Sequence, residues 1–208
     1  MNINDFKRKK QQHEKITMLT CYDYPSARIM ADTPIDCALV GDSVAMAVHG
    51  HESTVMATMD MLVFHTESVA RGLGSQFLIS DLAFLTYHNN PMQSIEHVRR
   101  LMQAGAQAVK IEGGNELILK TVSLFHQAQI PVMGHIGLTP QSVSQLGGYR
   151  VQGKNEIEAT RLIAEAEALE QAGCFAVVLE CIPALLAQTI TQRLSIPTIG
   201  IGNYMQSC

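Results

Sequence analysis

The chain has 208 residues, of which 47% are hydrophobic and 16% charged, and its formal net charge is −4 at pH 7. This length and balance are typical of one globular domain with a sizeable core, and the negative charge gives no electrostatic footprint for nucleic acid. The sequence contains no apolar stretch long enough to span a bilayer, and its N-terminal segment lacks the apolar core that is typical of a signal peptide. We therefore expect one cytoplasmic domain, residues 1–208, that acts on small molecules and binds neither nucleic acid nor a membrane.

Short apolar runs rich in Val, Ile and Leu alternate with longer segments of helical period, which is typical of βα units on a parallel sheet. The predicted strands are residues 17–21, 36–41, 77–80, 107–112, 131–134, 175–179 and 197–201. The predicted helices are residues 24–32, 60–72, 91–104, 115–128, 156–172 and 183–194. The longest irregular segment, residues 135–155, is expected to form a functional loop over the strand ends.

The polar residues at the strand ends decide between two parallel architectures. Strands that are apolar on both faces are covered on both, either by helices around a closed barrel or by helices flanking an open sheet. An open doubly wound sheet gathers its site at one switch point, whereas here a polar or charged group ends strand after strand. That distribution favours the rim of a (β/α)₈-type barrel in the α/β class.

Two carboxylates directly follow predicted strands, Asp42 in "VGDS" and Asp81 in "FLISD". A single Asp at a strand end is more often the N-cap of the next helix. Two carboxylates brought together repel unless a cation or a shared proton lies between them, and oxygen ligands favour Mg²⁺. With Glu112 as a third carboxylate, the pair favours a metal site over two helix caps.

Lys110 and Glu112 lie two residues apart on one predicted strand, so their side chains face the same way. An ion pair on an outer surface is the simple alternative. However, Val109 and Ile111 on the opposite face suit contact with a helical layer. We therefore predict that the charged residues point inward and that Lys110 holds an anionic substrate.

His135 follows "PVMG" and Glu180 follows "AVVL". His135 is equally well explained as a core histidine with satisfied hydrogen bonds. A carboxylate in the position of Glu180 is rarely buried without a partner or a role, which favours a general base. The hydroxyls of Ser43 and Tyr22 suit local hydrogen bonding or substrate contact about equally.

The motifs "VGDS", "GHEST", "SDL", "VKIEGG", "GHIGLTPQS", "GGYRVQG" and "LECIP" occur in this order over roughly residues 15–202. Together they closely resemble the ketopantoate hydroxymethyltransferase family. The resemblance implies a barrel enzyme of pantothenate synthesis, homo-oligomeric in its full-length members. Such an enzyme moves a one-carbon unit from 5,10-methylenetetrahydrofolate to 3-methyl-2-oxobutanoate and gives 2-dehydropantoate.

The resemblance also implies a role for each strand-end side chain discussed above. Carried over motif by motif, the assignments are Asp42, Asp81 and Glu112 for Mg²⁺; Asp42, Ser43, Asp81, Lys110 and His135 for the oxo acid; and Glu180 for the base. Mg²⁺ chelated by the substrate would acidify its C3 hydrogen, which Glu180 would then remove.

Two alternatives are a Mg²⁺-dependent barrel enzyme of the phosphoenolpyruvate mutase or isocitrate lyase type, and an inactive truncated remnant. The segments "GHIGLTPQS" and "GGYRVQG" argue against the first. After "PTIGIG" the family continues with an eighth strand and C-terminal helices, whereas this chain reads "NYMQSC". We expect the barrel to lack those elements, with unpaired strand edges that favour association with other chains, and little turnover.

Overall fold

The computed structural model describes residues 1–88 and 90–202. The chain divides into two compact units. Unit 1 comprises residues 1–2 and 17–110, and unit 2 comprises residues 3–16 and the chain from residue 111 onward. The tail "NYMQSC" lies outside the described residues. Two compact units can belong to one domain, because such units need not fold independently. The single domain over residues 1–208 therefore stays a prediction.

In the described part of the chain, seven parallel strands form one sheet in sequence order. They are β1 (Met18–Thr20), β2 (Cys37–Val40), β3 (Phe77–Asp81), β4 (Ala108–Glu112), β5 (Val132–Gly137), β6 (Ala176–Glu180) and β7 (Thr198–Ile201). Each corresponds to a predicted strand, which confirms the alternating β and α pattern. The chain passes from unit 1 to unit 2 within β4, between Lys110 and Ile111.

Helices separate the strands along the chain. They are α1 (Ile3–Gln11), α2 (Tyr24–Ala31), α3 (Val44–Ala47), α4 (Met59–Gly72), α5 (Pro91–Gln103), α6 (Glu116–Gln127), α7 (Glu156–Ala172) and α8 (Ala184–Arg193), with 3₁₀ helices at Thr54–Met56 and Pro140–Ser142. None of the described helices has both the length and the apolar character needed to cross a membrane.

Side-chain caps fix the start of five of these helices. In each case an Asp, Thr or Asn oxygen accepts a hydrogen bond from a backbone N–H in the first turn, which satisfies a donor that the helix leaves unpaired. The capping residues are Asp23, Thr58, Asn90, Asn115 and Asn155. The caps define where the loops that follow the strands end.

In unit 1, β2 and β3 are buried along their whole length. The helices α2 and α4 approach closely at Gly72. A Cβ added to this glycine would lie only 2.6 Å from the Cβ of Ala27, so a larger residue would not fit without a shift. The strand register pairs Val40 with Ser80 and Asp81 with Lys110. The carboxyl ends of β2 and β3 are therefore level with Lys110, the middle residue of β4.

In unit 2, β5 packs against α7 and pairs with β6. A Cβ on Gly134 would lie 2.9 Å from a methyl carbon of Leu169, so the glycine permits this close packing. Phe6 of α1 is fully buried, and its ring meets that of Phe175 edge to face with centroids 4.9 Å apart. The register pairs Gly137 with Glu180, which brings the ends of β5 and β6 together.

The prediction that β5 ends at Gly134 is wrong. The strand continues to Gly137, and His135 pairs in register with Val178. A histidine interrupts the apolar run in the sequence, but its side chain is buried in the fold. The irregular segment therefore begins at residue 138 and contains the 3₁₀ helix Pro140–Ser142.

Candidate active site

Unit 1 brings two carboxylates and an ammonium group together, at the ends of β2 and β3 and in the middle of β4. Asp42, Asp81 and Lys110 are all buried, with at most 4% of any of them exposed. Lys110 Nζ lies 2.8 Å from Asp81 Oδ1. The backbone N–H of Asp42 donates to Asp81 Oδ2 over 3.0 Å. Both oxygens of Asp81 are thus engaged, which fixes the orientation of this carboxylate.

The hydroxyl of Ser43 points to Tyr22. Ser43 occupies the N-cap position of α3, yet it makes no capping hydrogen bond to the described backbone of that helix. Its Oγ lies 2.7 Å from Tyr22 Oη instead. A Cβ on Gly41 would lie 2.9 Å from Ser43 Oγ and 3.5 Å from Asp81 Oδ2. The hydroxyl and the carboxylate therefore lie beside the same glycine.

The phenol of Tyr22 remains protonated at neutral pH. Burial raises its pKa above the ordinary value, and the hydrogen bond with Ser43 partly opposes this rise. The negative charges of Asp81 and Asp42 raise the pKa further, because they disfavour a phenolate near them. Tyr22 thus offers an O–H donor at this end of the sheet.

We expect Gly41→Ala to destabilise the chain by about 1–3 kcal/mol, because the new methyl group would overpack the space that holds the Ser43 hydroxyl. Urea unfolding would measure the change. Gly74→Ala is the matched control in unit 1, since the atom nearest to its Cβ would be Gln76 Oε1 at 3.4 Å. Equal stability of the two variants would contradict the tight packing around Gly41.

Unit 2 places His135 between two carboxylates. His135 Nδ1 lies 3.3 Å from Glu112 Oε1, and Nε2 lies 3.2 Å from Glu180 Oε2. Glu112 Oε2 also accepts the backbone N–H of Gln141 over 3.0 Å. The side chains of Glu112 and His135 are buried, whereas that of Glu180 is 20% exposed. Glu180 is therefore the carboxylate of this group that a ligand can reach.

The backbone around Glu180 is tightly constrained. The N–H of Leu138 donates to its carbonyl oxygen over 2.8 Å. A Cβ on Gly137 would lie 2.2 Å from the same oxygen, and Gly137 has a φ of 93°. Cys181, the next residue, has a φ of 48°, a conformation that is strained for a residue with a side chain. These features hold the Glu180 carboxylate at the end of β6.

The structure assembles the predicted site residues in two groups. The members are Asp42, Ser43, Asp81 and Lys110 in unit 1, and Glu112, His135 and Glu180 in unit 2. Their individual roles stay predictions. For Tyr22 the sequence leaves local hydrogen bonding and substrate contact equally open, and it gives no signal for His65, which bonds to the Tyr22 backbone. The position of Tyr22 directly after the first predicted strand was the available signal.

The oxygen donors of unit 1 fit a hard divalent cation. Mg²⁺ is usually bound through one or two carboxylates and keeps water or substrate oxygens in its other positions. Asp42 and Asp81 supply two buried carboxylates. Within residues 1–88 and 90–202, no group of three or more His, Cys, Asp or Glu side chains is arranged to hold a metal. The fit of this site to Mg²⁺ therefore rests on the two aspartates, and the role of Glu112 as a metal ligand stays a prediction.

Two solved structures share the fold of the chain. One is 2,3-dimethylmalate lyase, a member of the PEP mutase/isocitrate lyase superfamily, with a TM-score of 0.70 and 19% identity over 95% of this chain and 70% of that one. The other is phosphonopyruvate hydrolase in complex with oxalate and Mg²⁺, with a TM-score of 0.72 and 13% identity over 97% of this chain and 72% of that one. At such identities the likeness shows the fold alone, and it confirms the predicted (β/α)₈-type class.

Within this class the sequence defines the family. The chain belongs to the ketopantoate hydroxymethyltransferase family, whose model matches residues 1–206. The 3-methyl-2-oxobutanoate hydroxymethyltransferase of Legionella pneumophila (strain Corby) is 64% identical over 97% of this chain and 77% of the relative. That of Coxiella burnetii (strain Dugway 5J108-111) is 50% identical over 97% of this chain and 76% of the relative. The predicted family, a family of enzymes, is thereby confirmed.

Proposed function

We propose that the chain transfers a hydroxymethyl group from 5,10-methylenetetrahydrofolate to 3-methyl-2-oxobutanoate and forms 2-dehydropantoate for pantothenate synthesis. The observation that carries this proposal is the buried group of Asp42, Asp81 and Lys110 in unit 1. Its charges complement a chelating 2-oxo acid and a divalent cation. The names of the relatives supply the oxo acid and the reaction type.

In this proposal Lys110 and Ser43 bind the carboxylate of the oxo acid. A negative charge taken into a buried site needs a cation or hydrogen-bond donors in place of water. The ammonium of Lys110, which lies 2.8 Å from Asp81 Oδ1, supplies the positive charge of this site. The hydroxyl of Ser43 and the carboxylate of Asp81 both lie beside Gly41, and the hydroxyl adds a neutral donor.

Asp42 and Asp81 would hold Mg²⁺, with Glu112 supporting the metal or its waters. The oxygen donors of the aspartates fit this cation better than a soft metal. When bound, the cation supplies Lewis acidity that makes the C3 hydrogen of the oxo acid easier to remove. The protein contributes buried carboxylates, of which Asp81 is already oriented by the N–H of Asp42.

Glu180 would remove the C3 proton. Its carboxylate is the accessible member of the unit 2 group, and His135 lies 3.2 Å from its Oε2. Water hydrolyses the methylene bridge of the folate: both C–N bonds break, tetrahydrofolate leaves, and the methylene carbon becomes a formaldehyde equivalent that carries the oxygen of the water. The carbanion equivalent at C3 forms the new C–C bond to this carbon, and the former carbonyl oxygen takes up a proton and becomes the new hydroxyl. The task of His135 is to orient Glu180 while Glu112 contacts the other ring nitrogen.

The test is exchange of the C3 hydrogen of 3-methyl-2-oxobutanoate for deuterium in D₂O, followed by proton NMR with Mg²⁺ and without folate. We expect exchange that depends on the protein and that stops when EDTA removes the cation. Calorimetry would measure binding of the oxo acid in parallel. Absence of both binding and exchange would reject the proposed function. Binding without exchange would reject only the removal of the C3 proton by Glu180.

A further inference from the structure

The Tyr22–Ser43 contact is not explained by local structure. The first turn of α3 closes through its own backbone, since the N–H of Val44 donates to the Gly41 carbonyl and that of Ala45 to the Asp42 carbonyl, each over 3.0 Å. Ser43 is therefore not needed as a cap. Its hydroxyl bonds to Tyr22 Oη over 2.7 Å, in the part of unit 1 where the oxo acid is proposed to bind.

The chemistry of the two hydroxyls gives the pair a direction. Two hydroxyl oxygens at this distance share one hydrogen, so the second hydrogen of the pair points elsewhere. A phenol is a stronger acid than an alcohol and hence the better donor. Tyr22 thus donates to Ser43 Oγ, and the Ser43 O–H is left to donate to a ligand. A hydroxyl that accepts one hydrogen bond also becomes a better donor in the next.

His65 of α4 holds Tyr22 in place. Its Nδ1 lies 2.6 Å from the carbonyl oxygen of Tyr22, and its side chain is buried. A carbonyl oxygen can only accept, so Nδ1 carries the hydrogen and donates. In the neutral ring Nε2 is then an acceptor, and His49 Nε2 lies 2.9 Å from it. The loop after β1 is therefore anchored to α4 at Tyr22.

We propose that Tyr22 is a positioning residue for the 2-oxo acid: it directs the Ser43 hydroxyl toward the carboxylate of the ligand, and His65 keeps Tyr22 in register. The inference rests on the proposed function, because it takes the 2-oxo acid as the ligand. It assigns Tyr22 and His65 to substrate recognition, through Ser43, and leaves proton transfer to Glu180.

The test is a double-mutant cycle on binding of 3-methyl-2-oxobutanoate with Mg²⁺, measured by calorimetry. We expect Tyr22→Phe and Ser43→Ala each to weaken binding roughly tenfold, as for loss of a hydrogen bond to a charged group. In the double variant, Tyr22→Phe should add less than about twofold, because the two hydroxyls act as one unit.

Two substitutions of His65 test the anchoring separately. The amide nitrogen of His65→Asn can take the place of Nδ1 and donate to the Tyr22 carbonyl, whereas that of His65→Gln lies nearer the place of Nε2. We expect His65→Asn to bind like the wild type and His65→Gln to weaken binding as Tyr22→Phe does. Tyr24→Phe removes an exposed hydroxyl two residues from Tyr22 and is the control.

Unchanged binding in Tyr22→Phe, or equal weakening by that substitution with and without the Ser43 hydroxyl, would overturn the inference while leaving the proposed function intact. A wild-type chain that neither binds nor exchanges the oxo acid would overturn both. Thermal melts of every variant separate lost binding from lost folding. If Tyr22→Phe fails to fold, the comparison of His65→Asn with His65→Gln decides the matter.

Discussion

Replacing Glu180 with Gln is expected to abolish exchange at C3 of the oxo acid and to leave its Mg²⁺-dependent binding within about twofold. Glutamine keeps the size of the side chain and one hydrogen-bonding oxygen, but it cannot take up the proton. Loss of a general base typically costs about 10²–10⁴-fold in rate. Binding should persist, because Glu180 is not among the residues assigned to the oxo acid or to the metal. Proton NMR follows the exchange, and calorimetry follows the binding.

Glu165→Gln provides a closely matched control. Its side chain is 19% exposed, compared with 20% for Glu180, and it also belongs to unit 2. It pairs with Arg161 at 2.8 Å rather than with a site residue. Exchange in this variant should match the wild type. If Glu180→Gln exchanges as fast as this control, the base is another group, and His135 is the next to test.

The strands β2 to β6 are readable from the sequence because they are buried on both faces. Runs such as "CALV" and "AVVL" contain no polar position that would blur the pattern, and both are strands in the structure. The same property makes their polar ends conspicuous. Asp42 and Glu180 are predicted as site residues because Glu180 follows "AVVL" directly and Asp42 follows "CALV" after a single glycine. Where a polar residue lies inside the strand, as His135 does in β5, the pattern predicts the wrong boundary.

The partners of the charged groups were not predictable. On one strand, Lys110 and Glu112 are neighbours on the same face, which suggests that they interact with each other. In the structure Lys110 pairs with Asp81 on the adjacent strand, and Glu112 meets His135. Strand register and side-chain rotamers decide these contacts, and neither is encoded in local periodicity. The Tyr22–Ser43 hydrogen bond is not predictable from local periodicity either, because it joins two loops that are distant in the sequence.

Lys110→Met is expected to lower the free energy of unfolding by about 3–5 kcal/mol, because it leaves the Asp81 carboxylate buried without its ion-pair partner. That loss is a large fraction of the roughly 5–15 kcal/mol that stabilises an ordinary domain. Adding Asp81→Asn should recover part of it, since neither buried charge then remains. Urea unfolding would measure both variants. Lys120→Met is the control, because its pair with Glu116 is exposed and should contribute at most about 1 kcal/mol.

The same variants separate the ammonium from the metal in binding of the oxo acid. Asp81→Asn weakens the hold on the cation, so raising the Mg²⁺ concentration should partly restore binding by mass action. Lys110→Met removes a donor to the ligand carboxylate, and no concentration of Mg²⁺ replaces it. Calorimetric titrations at several Mg²⁺ concentrations, within the range where each variant is folded, would show the contrast. Restoration of binding in Lys110→Met by Mg²⁺ would mean that Lys110 acts only by neutralising Asp81, and the direct contact with the oxo acid would have to be given up.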